Sequence, residues 1–160
     1  AIDASNIHVL SGFASGEAAE ACFVENLRYA ADAAAPRGHT ILIEPLNHHD
    51  APGYFLNHTE MARRIIEAVG APNLKLMFDC YHIQILEGDL TRRIDANLDI
   101  TGHIQFAGVP SRGRPDMGEV NYAHIFAHLA ARGYDAPLGA EYRPEAGDTD
   151  ASLGWMAALR

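Results

Sequence analysis

Short apolar runs recur along this chain, and four of them close on a side chain that carries oxygen. Ile41-Leu42-Ile43 leads into Glu44, Leu74 to Phe78 into Asp79, His103-Ile104 into Gln105, and Leu138-Gly139-Ala140 into Glu141. Brief apolar runs bounded by turn residues read as buried strands. Between them apolar residues recur at helical spacing: Phe23, Leu27, Ala30 and Ala34, then Met61, Ile65, Ile66 and Val69, then Tyr122, Ile125, Phe126 and Leu129. Successive runs stand roughly 30 residues apart, one strand–helix–strand step. Alternation of this kind calls for a parallel sheet with crossover helices.

The spacing predicts a first strand near Asn6 to Leu10, a helix from about Gly16 to Ala35 ended by Pro36 and Gly38, and a second strand from Thr40 to Glu44. Thr59 is expected to cap a helix reaching Val69, which Gly70 and Pro72 stop. A third strand is expected from Leu74 to Asp79, with helix over Ile83 to Leu86 and again over Leu90 to Asn97; Cys80 to His82 fit neither pattern. A fourth strand, Gly102 to Phe106, precedes a helix capped by Asn121 and closed by Gly133. A fifth strand, Pro137 to Tyr142, and a helix from Thr149 to Leu159 complete the series. A whole eight-unit barrel takes roughly 250 residues, so five units take roughly 156, and this chain has 160. The expected fold is therefore α/β: a partial TIM (β/α)8 barrel, the last five strand–helix units, in one domain over residues 1–160. The rival is a doubly wound open sheet. Against it, Ser11-Gly12-Phe13-Ala14-Ser15-Gly16 lacks the spacing of a dinucleotide-binding loop.

A net charge of −9 argues against a nucleic-acid partner, which would need a basic surface. No apolar stretch is long enough to suggest a membrane span. Cys22 and Cys80 form neither a zinc motif nor a disulfide framework, so a reduced, cytoplasmic protein is expected. Ala1-Ile2-Asp3 has no basic region before an apolar one, and no signal peptide is expected. Asn57-His58-Thr59 matches a glycosylation sequon, without other signs of secretion. The chain opens almost at once into a strand, without an initiator methionine, and reads as the middle of something longer.

In a barrel of this kind the carboxyl ends of the strands carry the active site. Each of the four residues has an ordinary reading on its own. Glu44 can be a loop carboxylate, Asp79 a helix cap, Gln105 a satisfied core amide and Glu141 a partner of Arg143. Recurrence at four successive strand ends favours a single site. A charged group beside an apolar strand is costly unless it is paired or bound to metal. Carboxylate and amide oxygens suit magnesium or manganese; zinc is disfavoured because no histidine cluster is present. Such an ion would polarise a carbonyl while two glutamates removed and returned a proton. That is aldose–ketose isomerisation through an enediolate.

Several segments carry a resemblance. Ile43-Glu44-Pro45-Leu46-Asn47, Pro52 to Asn57, Asn73-Leu74-Lys75-Leu76, Asp79 to Gln84, Glu87-Gly88-Asp89-Leu90, Gly102 to Gln105 and Gly118 to Tyr122 together resemble the hydroxypyruvate isomerases, a family of xylose-isomerase-like barrels. The resemblance covers nearly the whole chain and rests on the combination of motifs. It implies interconversion of hydroxypyruvate and tartronate semialdehyde. It implies Glu44 and Glu141 as the proton-transfer pair, and Glu44, Asp79, Gln105 and Glu141 as ligands of a divalent metal ion. It supports a substrate contact for His82, while Arg112 is a candidate clamp for a substrate carboxylate or else a solvated loop arginine. Ala107-Gly108-Val109-Pro110-Ser111 departs from the family pattern, which usually has an aspartate and a Pro-Gly there.

A 2-oxo-tetronate isomerase, a ketose 3-epimerase and an inactive fragment that only binds ligand or assembles stand as alternatives; a metal nuclease is disfavoured by the acidic charge. His103 is expected in an inner barrel layer, His48 and His49 on a surface loop, Glu119 as a loop acid, Tyr54 and Phe55 at the mouth of the site, and Tyr122 and Phe126 in the core. A barrel lacking three units exposes strand edges, so a homo-oligomer or the missing amino-terminal units are expected as partners, beside a small 2-oxo acid or sugar acid as substrate.

Overall fold

A computed structural model of the chain describes residues 4–157 and 159. It contains five strands in one sheet: β1 (Asn6–His8), β2 (Thr40–Ile43), β3 (Leu74–Asp79), β4 (Thr101–Phe106) and β5 (Leu138–Ala140). All neighbours pair in parallel, and spatial order follows chain order. Sequential parallel order with a helix after each strand is the construction of a curled half-barrel, as the spacing predicts. The helices are α1 (Glu17–Ala34), α2 (Thr59–Val69), α3 (Cys80–Leu86), α4 (Leu90–Asn97), α5 (Tyr122–Ala131) and α6 (Thr149–Ser152). Among the described residues, no helix is long and apolar enough to cross a membrane.

The strands sort their side chains onto two faces, because successive residues alternate. Ile41, Ile43, Leu74, Leu76, Phe78, Ile104 and Phe106 face the helices and share a core with Phe23, Leu27, Ile65 and Ile125. Burying each such side chain contributes roughly 1.5–3 kcal/mol. The alternate positions, Leu42 and Glu44, Met77 and Asp79, His103 and Gln105, Gly139 and Glu141, fall on the inner face. Gly139 is small for a reason. A Cβ there would stand 2.9 Å from His103 Nε2 and 3.3 Å from Gln105 Cγ, so the glycine makes room for both. His103 thus occupies the inner face, as expected.

Several boundaries differ from expectation. β1 ends at His8 and β5 at Ala140, so both edge strands are shorter than their apolar runs. α3 begins at Cys80, because Asp79 Oδ1 accepts the Tyr81 N–H at 2.9 Å and caps the helix at once. Thr59 is not the cap of α2 but its first residue. Its N–H and hydroxyl donate to the Glu87 carboxylate at 2.7 and 2.9 Å, so an acid from the α3–α4 turn satisfies the helix start. The last helix stops at Ser152, and a 3-10 turn covers Leu153–Ala157; the expected continuation through residue 158 lies outside the described residues, as do Ala1-Ile2-Asp3. Tyr54 and Phe55 are buried instead of lining a mouth. Tyr54 packs edge-on against Phe13, and Phe55 against Phe23. Tyr122 and Phe126 pack with Phe106, as expected for core, while His48, His49 and Glu119 are exposed.

Candidate active site

Glu44 follows β2 directly, and Pro45 ends the strand there. Asp79 is the last residue of β3 and stands in register with Gln105 on β4. Glu141 follows β5, its N–H bonded to the Phe106 carbonyl at 3.1 Å. His82 lies on the first turn of α3, three residues after Asp79. A cavity of about 340 Å³ opens at these strand ends, lined by Glu44, His82, Gln105, Arg112 and Glu141 together with His8 and Asp50. Asp79 sits beneath it, with its Oδ2 3.8 Å from His82 Nε2. All six residues singled out in the sequence therefore meet in one place.

Burial makes this an unusual place for acids. Glu44 is 3% exposed, and Asp79 and His82 are 1% exposed. Burial, reinforced by the charges of Asp79 and Glu141, pushes the Glu44 carboxyl up to about 9. Burial also pushes Asp79 up to about 7, against the pull of the Tyr81 N–H. The His82 imidazole is pushed down to about 4, first by burial and then by the Arg112 charge. Glu44 Oε1, Asp79 Oδ2 and Gln105 Oε1 are buried, and none of the described residues hydrogen-bonds them. Orphaned buried oxygens are rare and need an explanation.

A hard cation supplies one. Glu44, Asp79 and His82 each place a donor atom within 4.8 Å of the others, and the unsatisfied oxygens are of the carboxylate and amide kind that divalent ions of the magnesium class prefer. The residues present fit such an ion. Glu141 differs from the others. Its side chain is half exposed, and its Oε2 pairs with Arg112 Nη2 at 3.0 Å, not with Arg143. Arg112 is no free loop arginine. Its Nη1 reaches Asp50 Oδ2 at 3.2 Å, and its guanidinium lies 5.2 Å over the Tyr81 ring. Its backbone is in the left-handed region, φ 54°, and its carbonyl accepts the Arg143 N–H at 2.7 Å. The loop after β4 is thus tied to the segment after β5.

Three further residues join the site. His8, at the end of β1, puts Nε2 3.4 Å from Glu44 Oε2. Asp50 holds Arg112 from the β2–α2 loop. Asn47, 0% exposed, contacts His82. His8 obeys the same carboxyl-end rule as Glu44 and was open to that reading. Nothing in the order of residues pairs Asp50 with Arg112 or Asn47 with His82.

A sequence model of the xylose isomerase-like TIM barrel matches residues 1–159. The chain is 49% identical over 154 residues to a 2-oxo-tetronate isomerase of Cupriavidus necator, covering 94% of this chain and 59% of that protein. It is 43% identical over 150 residues to the hydroxypyruvate isomerase of Escherichia coli, covering 94% of this chain and 57% of that protein. The chain thus spans less than two thirds of either relative's length. Among solved structures, one titled AP endonuclease, family 2, from Brucella melitensis superposes with a TM-score of 0.93 at 43% identity, over 99% of this chain and 62% of that one. The chain belongs to the xylose isomerase-like TIM barrel family.

Proposed function

We propose that this chain carries the proton-handling half of an isomerase that interconverts hydroxypyruvate and tartronate semialdehyde. The observation that carries the reading is the juxtaposition of buried, unsatisfied Glu44, Asp79 and Gln105 oxygens with Arg112 at one cavity. Both relatives named above act on 2-oxo acids by name or are isomerases of them. The reaction moves one carbon-bound proton. A carboxylate takes the proton from C3 of hydroxypyruvate, the proton on the C3 hydroxyl passes to the C2 oxygen, and a second acid returns a proton to C2. Glu44 and Glu141 are the pair for this transfer. A magnesium or manganese ion held by Glu44, Asp79, Gln105 and Glu141 would polarise the substrate carbonyl. The His82 imidazole contacts the substrate oxygen. The negative charge of −9 weighs against a nuclease acting on a phosphodiester backbone.

Arg112 is assigned to the substrate carboxylate, which would exchange with the Glu141 carboxylate on the guanidinium. A planar fork matches a carboxylate bidentately, and an ammonium does not. Arg112→Lys is expected to raise KM about ten- to thirtyfold while moving kcat less; steady-state kinetics with hydroxypyruvate checks it, and an unchanged KM removes Arg112 from substrate binding.

The second reading, 2-oxo-tetronate as substrate, is favoured by the 49% identity to the Cupriavidus enzyme. Coupled assays with hydroxypyruvate and 2-oxo-tetronate, before and after Glu141→Gln, decide. Turnover of neither by the parent protein, with no Mn²⁺ binding by calorimetry, makes the chain an inactive binder or assembly unit.

Residues 1–160 are taken as one unit, the last five of a barrel, acting in the cytoplasm. Its open flank needs a partner. Ile7, Leu10 and Phe13, at and beyond β1, are 43%, 62% and 70% exposed. An unpaired parallel edge carrying apolar side chains invites another strand. The 160-residue chain alone is expected to sediment as a dimer or larger, or to bind an added amino-terminal segment; a monodisperse monomer at high concentration ends this reading.

A further inference from the structure

Whether His82 gives or takes at Nε2 is decided on the far side of its ring. Nδ1 is met by two donors: the backbone N–H of Asn47 at 3.0 Å and the Asn47 side-chain Nδ2 at 2.8 Å. A backbone N–H can only donate. The amide end is equally fixed, because Asn47 Oδ1 already accepts the N–H groups of His49 and Asp50, both at 3.0 Å. Turning the amide over would aim its NH₂ at those two donors. So Nδ1 carries the lone pair, and the neutral ring carries its proton on Nε2.

We infer that Asn47 is a positioning residue: it locks His82 in the Nε2–H tautomer, so that His82 donates a hydrogen bond into the site and is not a metal ligand. The Nε2–H faces Asp79 Oδ2 at 3.8 Å and Glu44 Oε1 at 4.0 Å, and His82 lines the cavity at the strand ends. A metal at Nε2 would need the lone pair there and the proton on Nδ1, opposite two donors. The proximity of the three donor atoms is then that of two acids and a hydrogen-bond donor. Ligation falls to oxygens alone. The tautomer assignment stands on geometry; its effect on turnover rests on the isomerase reading.

The test is long-range ¹H–¹⁵N spectroscopy of ring-labelled histidines at neutral pH, with the His82 signals among the nine identified by their loss in His82→Gln. The Nε2–H pattern is expected, unchanged by saturating Mg²⁺. An Nδ1–H or doubly protonated ring, or loss of the Nε2 proton on adding Mg²⁺, overturns the inference. Asn47→Asp keeps an oxygen for His49 and Asp50 and turns a second oxygen toward Nδ1. The backbone N–H of residue 47 still points at Nδ1 in this variant, so a mixture of Nδ1–H and Nε2–H rings is expected, with kcat about tenfold lower and a smaller change in KM. A variant with the pure Nε2–H pattern leaves the lock to the backbone N–H and removes the Asn47 side chain from the role. If the parent protein shows that pattern but turns over neither substrate, the isomerase reading fails while the tautomer assignment stands.

Discussion

Glu44→Gln is expected to lower turnover about 10²–10⁴-fold while the metal-free protein melts at nearly its original temperature. The two halves have one cause. Burial comes first, and the neighbouring Asp79 and Glu141 charges second, in holding the Glu44 carboxyl up to about 9. In the metal-free protein at neutral pH it is therefore a neutral acid of nearly the size and shape of glutamine. The amide enters with no change of charge, and a polar neighbour, His8 Nε2 at 3.4 Å, can pair with either group by choice of tautomer. Function is another matter. An amide accepts no proton, and it is a weaker ligand than a carboxylate for a hard cation. The stabilisation that Mn²⁺ gives by mass action should shrink in the variant. Thermal melts with and without Mn²⁺, beside coupled kinetics, check both halves. A variant with most of the parent's turnover ends the proton-transfer role. A variant that melts much earlier without metal means that Glu44 is structural, and its kinetic loss then carries no mechanistic weight.

The rule that found this residue is local, and that explains its reach. Strand ends are legible because an apolar run and its polar last residue are neighbours in the chain. Glu44, Asp79 and Gln105 were found that way, and Asp79 turned out to serve both of its readings. One oxygen caps α3, and the other is left for the site. Partnerships across the fold are not legible in this way. Asn47 and His82 lie on different units and meet only because β2 and β3 pair. Thr59 looked like a cap because threonine is a good one; Glu87, in a distant turn, displaced it by offering two acceptors. Tyr54 and Phe55 looked like rim residues because they stand in a loop, yet both are buried, Tyr54 under the exposed Phe13 and Phe55 against Phe23. β1 and β5 came out short for a physical reason as well: edge strands have one neighbour to hold their ends.

Affinity for Mn²⁺ is expected to rise on the order of 10²–10³-fold between pH 6 and pH 8. In the metal-free protein Asp79 holds its proton up to about 7 and Glu44 up to about 9, both chiefly through burial. A cation that binds their carboxylates must displace those protons. At pH 6 both carboxyls are protonated, and two protons leave per ion. At pH 8 Asp79 is already ionised, and one leaves. Stability without metal should run the opposite way. Both carboxyls have folded values above their ordinary 4.5 and 3.8. Their contribution is thus complete below those ordinary values and is lost as pH rises through about 7 and then about 9. His82 has the opposite sign. Its folded value of about 4 lies below the ordinary 6.5, so it costs stability only as pH falls through that window. Above pH 7 the acids act alone, and the metal-free protein should lose about 3 kcal/mol between pH 7 and pH 9. Saturating Mn²⁺ should largely cancel this loss, because the ionised carboxylates then have a partner. Calorimetry in buffers of different ionisation enthalpy counts the protons released, and melts across the same pH range read the stability. Affinity independent of pH, with no proton release, would mean that the ion sits elsewhere or that these acids are already charged when it arrives.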